Sequence, residues 1–182
     1  MNDPMVAPTR ASVLAEPVSG EEVGADELFR DYSGAAVLIR AYTEADWPAI
    51  CALHDRARLD ELLGSCDLRA FVPLAQDQED AENFQRSRKF VACVGGRVAG
   101  FVGVDGSYLS WLYVDPDFYG RGIGRRLLQY GKRLIGPDGW TIALENNLPA
   151  RQLYASEGFR VASIFDSSNA GYPCKGVKLV LT

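Results

Sequence analysis

Residues 114–128 read VDPDFYGRGIGRRLL: the end of a strand, a proline, a glycine-rich turn, and the apolar face of a helix carrying Ile123, Leu127 and Leu128. A helix start presents backbone N–H groups without intrahelical partners and the positive end of the helix dipole, so an anion binds there readily. Gly120, Gly122 and Gly124 remove the side chains that would hold a phosphate away, and Arg121, Arg125 and Arg126 add positive charge. The stretch therefore reads either as a pyrophosphate cradle or as ordinary turn chemistry at a helix entry, and a glycine-rich turn alone does not separate the two. A P-loop is excluded because no GK[ST] follows. A dinucleotide fold is excluded because the strands before the turn are hairpin-linked and no ribose-binding acid is placed on a following parallel strand.

Upstream lie three strand-like runs, KFVACVG, RVAGFVGV and SYLSWLYV, separated by the turn pairs Gly95-Gly96 and Asp105-Gly106. Such pairs suit tight hairpins and predict an antiparallel meander. Before them, AAVLIRAY is a β-type run. Thr43 with Asp46 three residues later has the form of a capping box, and Trp47, Ile50 and Leu53 supply an apolar stripe at helical spacing. The stretch from Asp60 to Arg88 is less regular, with ELLG as a helix end and QEDAENFQRS as a second helix. Downstream the helix stops at Gly136-Pro137. Strand WTIALE, helix ARQLYASE closed by Gly158, and strands RVASIF and GVKLVLT follow. This order predicts an α+β domain with a mixed central sheet.

At 182 residues, 47% apolar and 24% charged, the chain has the size and balance of one globular domain. The longest apolar stretches, such as Val98 to Val104, fall far short of the roughly 20 residues that span a bilayer, so no membrane partner is expected. A formal charge of −5 argues against broad nucleic-acid binding. The opening MNDPMVAPTR lacks the basic start and apolar core of a secretory signal, which predicts a cytoplasmic protein. Cys51, Cys66, Cys93 and Cys174 form no CxxC pair, and no metal site is expected. Residues 1–35, acidic and with little periodicity, read as a mobile arm whose Leu28, Phe29 and Tyr32 could dock as a short helix, leaving 36–182 as the domain.

The loop and the later stretch ENNLPARQLYASEGF together resemble the GNAT superfamily of N-acetyltransferases. Its phosphate-binding signature is Q/R-x-x-G-x-G/A before a helix, and Tyr119, Gly122 and Gly124 fall on the three fixed places. Tyr119 departs from the usual Gln or Arg. The second element is met by Asn147, Ala150, Tyr154, Gly158 and Phe159. The resemblance covers about 36–182. It implies a GNAT-like mixed sheet of about seven strands flanked by helices, in which SYLSWLYV splays from WTIALE to admit the pantetheine arm of acetyl-CoA. Leu112, Tyr113 and Val114 would pair with that arm. Tyr119, Gly120, Arg121, Gly122, Ile123, Gly124 and Arg125 would hold the pyrophosphate, and Asn147 and Ala150 would also touch the cofactor. Asn147 reads equally as a helix cap before Pro149.

The implied activity is acetyl transfer from acetyl-CoA to an amine of a small molecule or a protein amino terminus, by direct attack on the thioester. Tyr154 would be the acid that protonates the departing thiolate, since a phenol with a pKa of about 10 is protonated at neutral pH. Its spacing from Ala150 and Leu153 also suits a residue that simply walls the cleft. Asp60, Glu61, Asp105, Glu145 and the lone His54 are conceivable bases, and none is assigned. An acidic stretch with Asp60, Glu61, Asp67, Asp77, Glu79, Asp80 and Glu82 favours a cationic acceptor, and a homodimer is compatible with the reading. The alternative is a CoA-binding sensor or regulatory module that keeps the cleft without turnover.

Overall fold

The computed structural model describes residues 26–182. Its frame is one sheet of eight strands in the order β1-β2-β3-β4-β5-β6-β8-β7. The strands are β1 Glu27–Arg30, β2 Ala36–Ala41, β3 Arg88–Val94, β4 Arg97–Asp105, β5 Tyr108–Val114, β6 Trp140–Leu144, β7 Phe159–Asn169 and β8 Tyr172–Leu181. Neighbours pair antiparallel except β5 and β6, which run parallel. The β3–β4 hairpin closes through Gly95 and Gly96, with φ of 56° and 80°. Both central residues of a two-residue turn of this hand need positive φ, which glycine adopts without steric cost.

Helix α1, Trp47–Leu62, and α2, Gln78–Arg86, cover one face. Ile50, Leu53 and Phe84 pack there on Val91, Phe101 and Trp111 of the strands. Helix α3, Ile123–Ile135, and α4, Leu148–Ser156, cover the other. There Ile123, Leu127, Leu128 and Tyr154 join Val102, Leu109, Ala143 and Val177 in a second core. Covered on both faces, β4 is buried along nearly its whole length and reads as a continuous apolar run. Asp46 accepts from the backbone N–H of Thr43 at 2.8 Å, as the capping-box pattern predicts, and pairs bidentately with Arg40. It closes a short 3-10 turn, Glu44–Asp46, that runs into α1. Among the described residues no helix is long and apolar enough to cross a membrane.

The structure corrects the sequence reading at the amino-terminal side. Residues 27–30, assigned to the arm, form β1, an added edge strand paired with β2 from Glu27↔Ile39 to Arg30↔Ala36. This makes eight strands rather than about seven, and Leu28 and Phe29 lie in a strand rather than a helix. Behind β1, Asp31 organises the turn: its Oδ1 accepts from the N–H and hydroxyl of Ser33 at 2.9 and 2.6 Å, and from the N–H of Ala35 at 3.0 Å. A short acidic side chain that binds the backbone two residues on is a turn-former, and Asp-Tyr-Ser-Gly carries that signal. Residues 1–25 of the expected arm lie outside the described residues.

Candidate active site

The sheet opens between β5 and β6. These strands share a single register pair, Tyr108↔Trp140, with Trp140 N–H donating to Ser107 O at 3.0 Å and Thr141 Oγ1 donating to Leu109 O at 2.8 Å. Beyond that point no further pair forms, and a cavity of about 730 Å³ fills the gap. Ser110 to Val114 of β5 and Thr141 to Ala143 of β6 line it. Asp115 N–H donates across to Ala99 O on β4 at 2.8 Å. Alternation along the strand turns the backbone of Tyr113 the same way, and those of Leu112 and Val114 toward the gap. The sequence-predicted residues Leu112, Tyr113 and Val114 thus line one wall, with the backbone groups of two of them offered to an extended ligand.

At the mouth of the gap, Asp115 and Asp117 bolt the strand end to α1. Buried Asp115 lies 2.7 Å from Arg97 and 3.0 Å from Arg56. Arg56 and Arg97 likewise hold the Asp117 carboxyl down to about 2. The glycine loop follows. Gly120 and Gly122 have φ of 72° and 82°, and Gly122 is the residue before α3, which starts without a side-chain cap. Tyr119 through Arg125 all line the cavity, which puts the start of α3, whose first-turn N–H groups lack intrahelical partners, at its edge. A Cβ at Gly120 would meet nothing within 4 Å. Backbone this bare beside uncapped N–H groups fits a pyrophosphate.

The loop arginines depart from expectation, because each is committed to a carboxylate. Arg121 pairs with Asp31 at 2.6 Å, Arg125 with Glu157 at 2.5 Å and Arg126 with Glu27 at 2.7 Å. Two of those acids, Glu27 and Asp31, sit in the segment read as an arm. The Ser33 hydroxyl, together with Arg121, holds the Asp31 carboxyl below its ordinary range. A pyrophosphate on the loop would therefore rely on backbone N–H groups and the helix dipole, with the guanidinium charges largely compensated.

Helix α4 supplies the opposite wall. Asn147 accepts from Ala150 N–H at 3.3 Å, the cap expected from its sequence position, and both residues also line the cavity. Tyr154 lines it too, nearly buried at 6% exposure, with its ring edge-on to Phe159 at 5.4 Å. On the α1 side, Ala57, Asp60, Glu61 and Leu63 complete the lining. Glu61 accepts from Tyr113 Oη at 2.5 Å and from Arg58 at 2.6 Å, and Arg58 reaches Asn169 at 2.8 Å. Burial and a hydrogen bond shared with Asp60 push the Tyr119 phenol pKa up.

Of the acidic stretch, only Asp60 and Glu61 reach the cavity. Asp67 is engaged by Arg69, and Asp77 caps α2. His54 is 1% exposed, its Nδ1 lies 3.0 Å from Asp55, and burial pushes its pKa down. It packs edge-on against Trp111 and Tyr113, a core residue rather than a base facing the gap. Sequence reasoning missed Tyr32, which also lines the cavity, and the Tyr119–Asp60 and Tyr113–Glu61 contacts, which depend on the packing of α1 against the sheet.

Residues 85–161, which hold β3 to β6, the loop, α3 and α4, match a family model described as an acetyltransferase (GNAT) domain. A peptidyl-lysine N-acetyltransferase, YjaB, from Salmonella typhimurium is 31% identical over 81 residues, covering 44% of this chain and 55% of that protein. The match spans about half the length of that relative. Among solved structures, a GCN5-related N-acetyltransferase from Rhodopseudomonas palustris superposes with a TM-score of 0.71 at 18% identity, covering 87% of this chain and 99% of that one. The PaiA N-acetyltransferase from Thermoplasma acidophilum, solved in complex with coenzyme A, gives 0.58 at 14% identity, covering 77% and 97%. The split sheet, the uncapped glycine loop and these likenesses agree: residues 85–161 match the GNAT acetyltransferase domain, and the chain has the fold of the GNAT acetyltransferases.

Proposed function

We propose that the chain transfers an acetyl group from acetyl-CoA to an amine in the gap between β5 and β6. The observation that carries this reading is the single β5–β6 register pair, followed by divergence beside the uncapped start of α3. The N–H groups of the loop would bind the pyrophosphate, and the backbone of Leu112 and Val114 would pair with the pantetheine arm. Acetyl-CoA would supply a thioester carbonyl open to attack by a neutral amine, and a thiolate leaving group. Leu112 N–H, facing the gap, would stabilise negative charge on the carbonyl oxygen. Tyr154 Oη would give a proton to the leaving sulfur.

The acceptor is an amine on a small molecule or a protein amino terminus. Exposed Asp60 and half-buried Glu61, on the α1 wall, favour one with positive charge near the reacting nitrogen. Because Glu61 is already paired with Arg58, Asp60 would carry most of that preference. The test is thiol release from acetyl-CoA across a panel of amines, from polyamines to peptides with free amino termini and lysines. Release that depends on one amine class, with acetylated product found by mass spectrometry, is the expected result. CoA binding without release for any amine would replace the transferase with a CoA-binding sensor.

A further inference from the structure

The turn between β1 and β2 lies against the glycine loop. Tyr32 N–H donates to Arg121 O at 3.0 Å, Asp31 Oδ2 accepts from Arg121 Nε at 2.7 Å, and Ser33 Oγ accepts from Arg121 Nη2 at 3.1 Å. The Asp31 side chain is wholly buried, so the backbone carrying Tyr32 is fixed on both sides. The Tyr32 ring is held against Gly122: a Cβ there would lie 2.7 to 3.0 Å from ring carbons Cζ, Cε1 and Cε2. Yet Tyr32 is 74% exposed and lines the same cavity as the loop. An aromatic ring kept in solvent by an anchored backbone, beside N–H groups suited to phosphate, is a surface ready to be covered.

The loop itself gives the direction. A Cβ at Gly124 would meet Val114 at 3.4 Å and Leu153 at 3.8 Å, so that end of the loop faces β5 and α4, which bound the gap. The Gly122 side faces Tyr32. With the pyrophosphate on the loop and the pantetheine arm in the gap, the nucleotide end is left to the Tyr32 side. We infer that Tyr32 contacts the nucleotide moiety of CoA, its ring packing against that end of the molecule, and that Asp31 positions it by holding Arg121. The inference rests on the acetyl-CoA reading above.

Calorimetric titration of wild type, Tyr32→Ala, Tyr32→Phe and Asp31→Asn with CoA, and separately with 4′-phosphopantetheine, which lacks the nucleotide, tests it. Stacking on an aromatic side chain predicts a loss of roughly tenfold in CoA affinity for Tyr32→Ala, with Phe close to wild type. Binding of 4′-phosphopantetheine should not change in any Tyr32 variant. Asp31→Asn should lower CoA affinity alone and add little on top of Tyr32→Ala, the non-additivity expected of one coupled unit. The exposed position of Tyr32 makes a folding defect in the Ala variant a poor explanation, and a thermal melt checks this. Wild-type CoA affinity in Tyr32→Ala, or an equal loss for both ligands, overturns the contact. A wild-type protein that binds neither ligand overturns the acetyl-CoA reading as well, and that outcome is distinguishable from failure of Tyr32 alone.

Discussion

Gly122→Val should reduce CoA affinity by about a hundredfold or more while the protein stays folded. Two physical terms act together. Gly122 sits at φ 82°, where an L side chain costs roughly 1–2 kcal/mol and a β-branched one is a still rarer outlier. The new Cβ would also stand 2.7 Å from Tyr32 Cζ, so either the ring or the loop must move. Because Gly122 is the residue before α3, relief by loop movement re-aims the N–H groups that form the cradle. Gly120→Ala separates these terms: φ is 72° there as well, but its Cβ meets nothing within 4 Å. Strain alone acts on the free and bound protein alike, so that variant should lose about 1–2 kcal/mol of stability with CoA affinity near wild type. Calorimetry with CoA, beside circular dichroism and a melting curve, checks both. A folded Gly122→Val protein with wild-type affinity would remove the loop from the cofactor site.

The second large effect is expected from Tyr154→Phe. The change deletes one hydroxyl and keeps the ring that packs edge-on against Phe159 and lines the cavity. If Tyr154 Oη delivers the proton to the leaving thiolate, kcat should fall by roughly ten- to a thousandfold with CoA affinity nearly constant. A residue that only walls the cleft gives the opposite pattern. Phe is then silent and Ala weakens CoA binding, because a nearly buried ring has been cut away. Product release can mask a slower chemical step, so acetyl transfer should be followed in a single turnover. A wild-type single-turnover rate in the Phe variant would demote Tyr154 to the wall.

The parts of this site legible in the sequence are those written locally. Glycine pairs fix the β3–β4 hairpin, periodicity fixes α3, and Asn147 before Pro149 announces the cap of α4. What the sequence did not show is what each charge faces. Arg121, Arg125 and Arg126 read as phosphate ligands because they stand beside the glycines. Their partners Asp31, Glu157 and Glu27 are 90, 32 and 99 positions away in the chain. The acidic stretch after Leu53 looks like one surface, but it is divided among the end of α1, the following loop and α2, and only Asp60 and Glu61 at the end of α1 line the cavity. The β1 strand escaped notice because its four residues, ELFR, are too few for a period to stand out, and its pairing is decided by β2. Asp31-Tyr32-Ser33-Gly34 did carry a turn signal, hidden within a stretch whose composition suggested an arm.

The central claim is that CoA lies along the loop and enters the gap between β5 and β6. Amide chemical-shift mapping on nitrogen-15-labelled protein titrated with CoA reads this residue by residue. The largest shifts should fall on the N–H groups of Gly120 to Arg125, followed by Leu112 and Val114, with Tyr32 moving for CoA but not for 4′-phosphopantetheine. Shifts confined to another face of the sheet, with the loop and the β5 amides unmoved at saturating CoA, would contradict it.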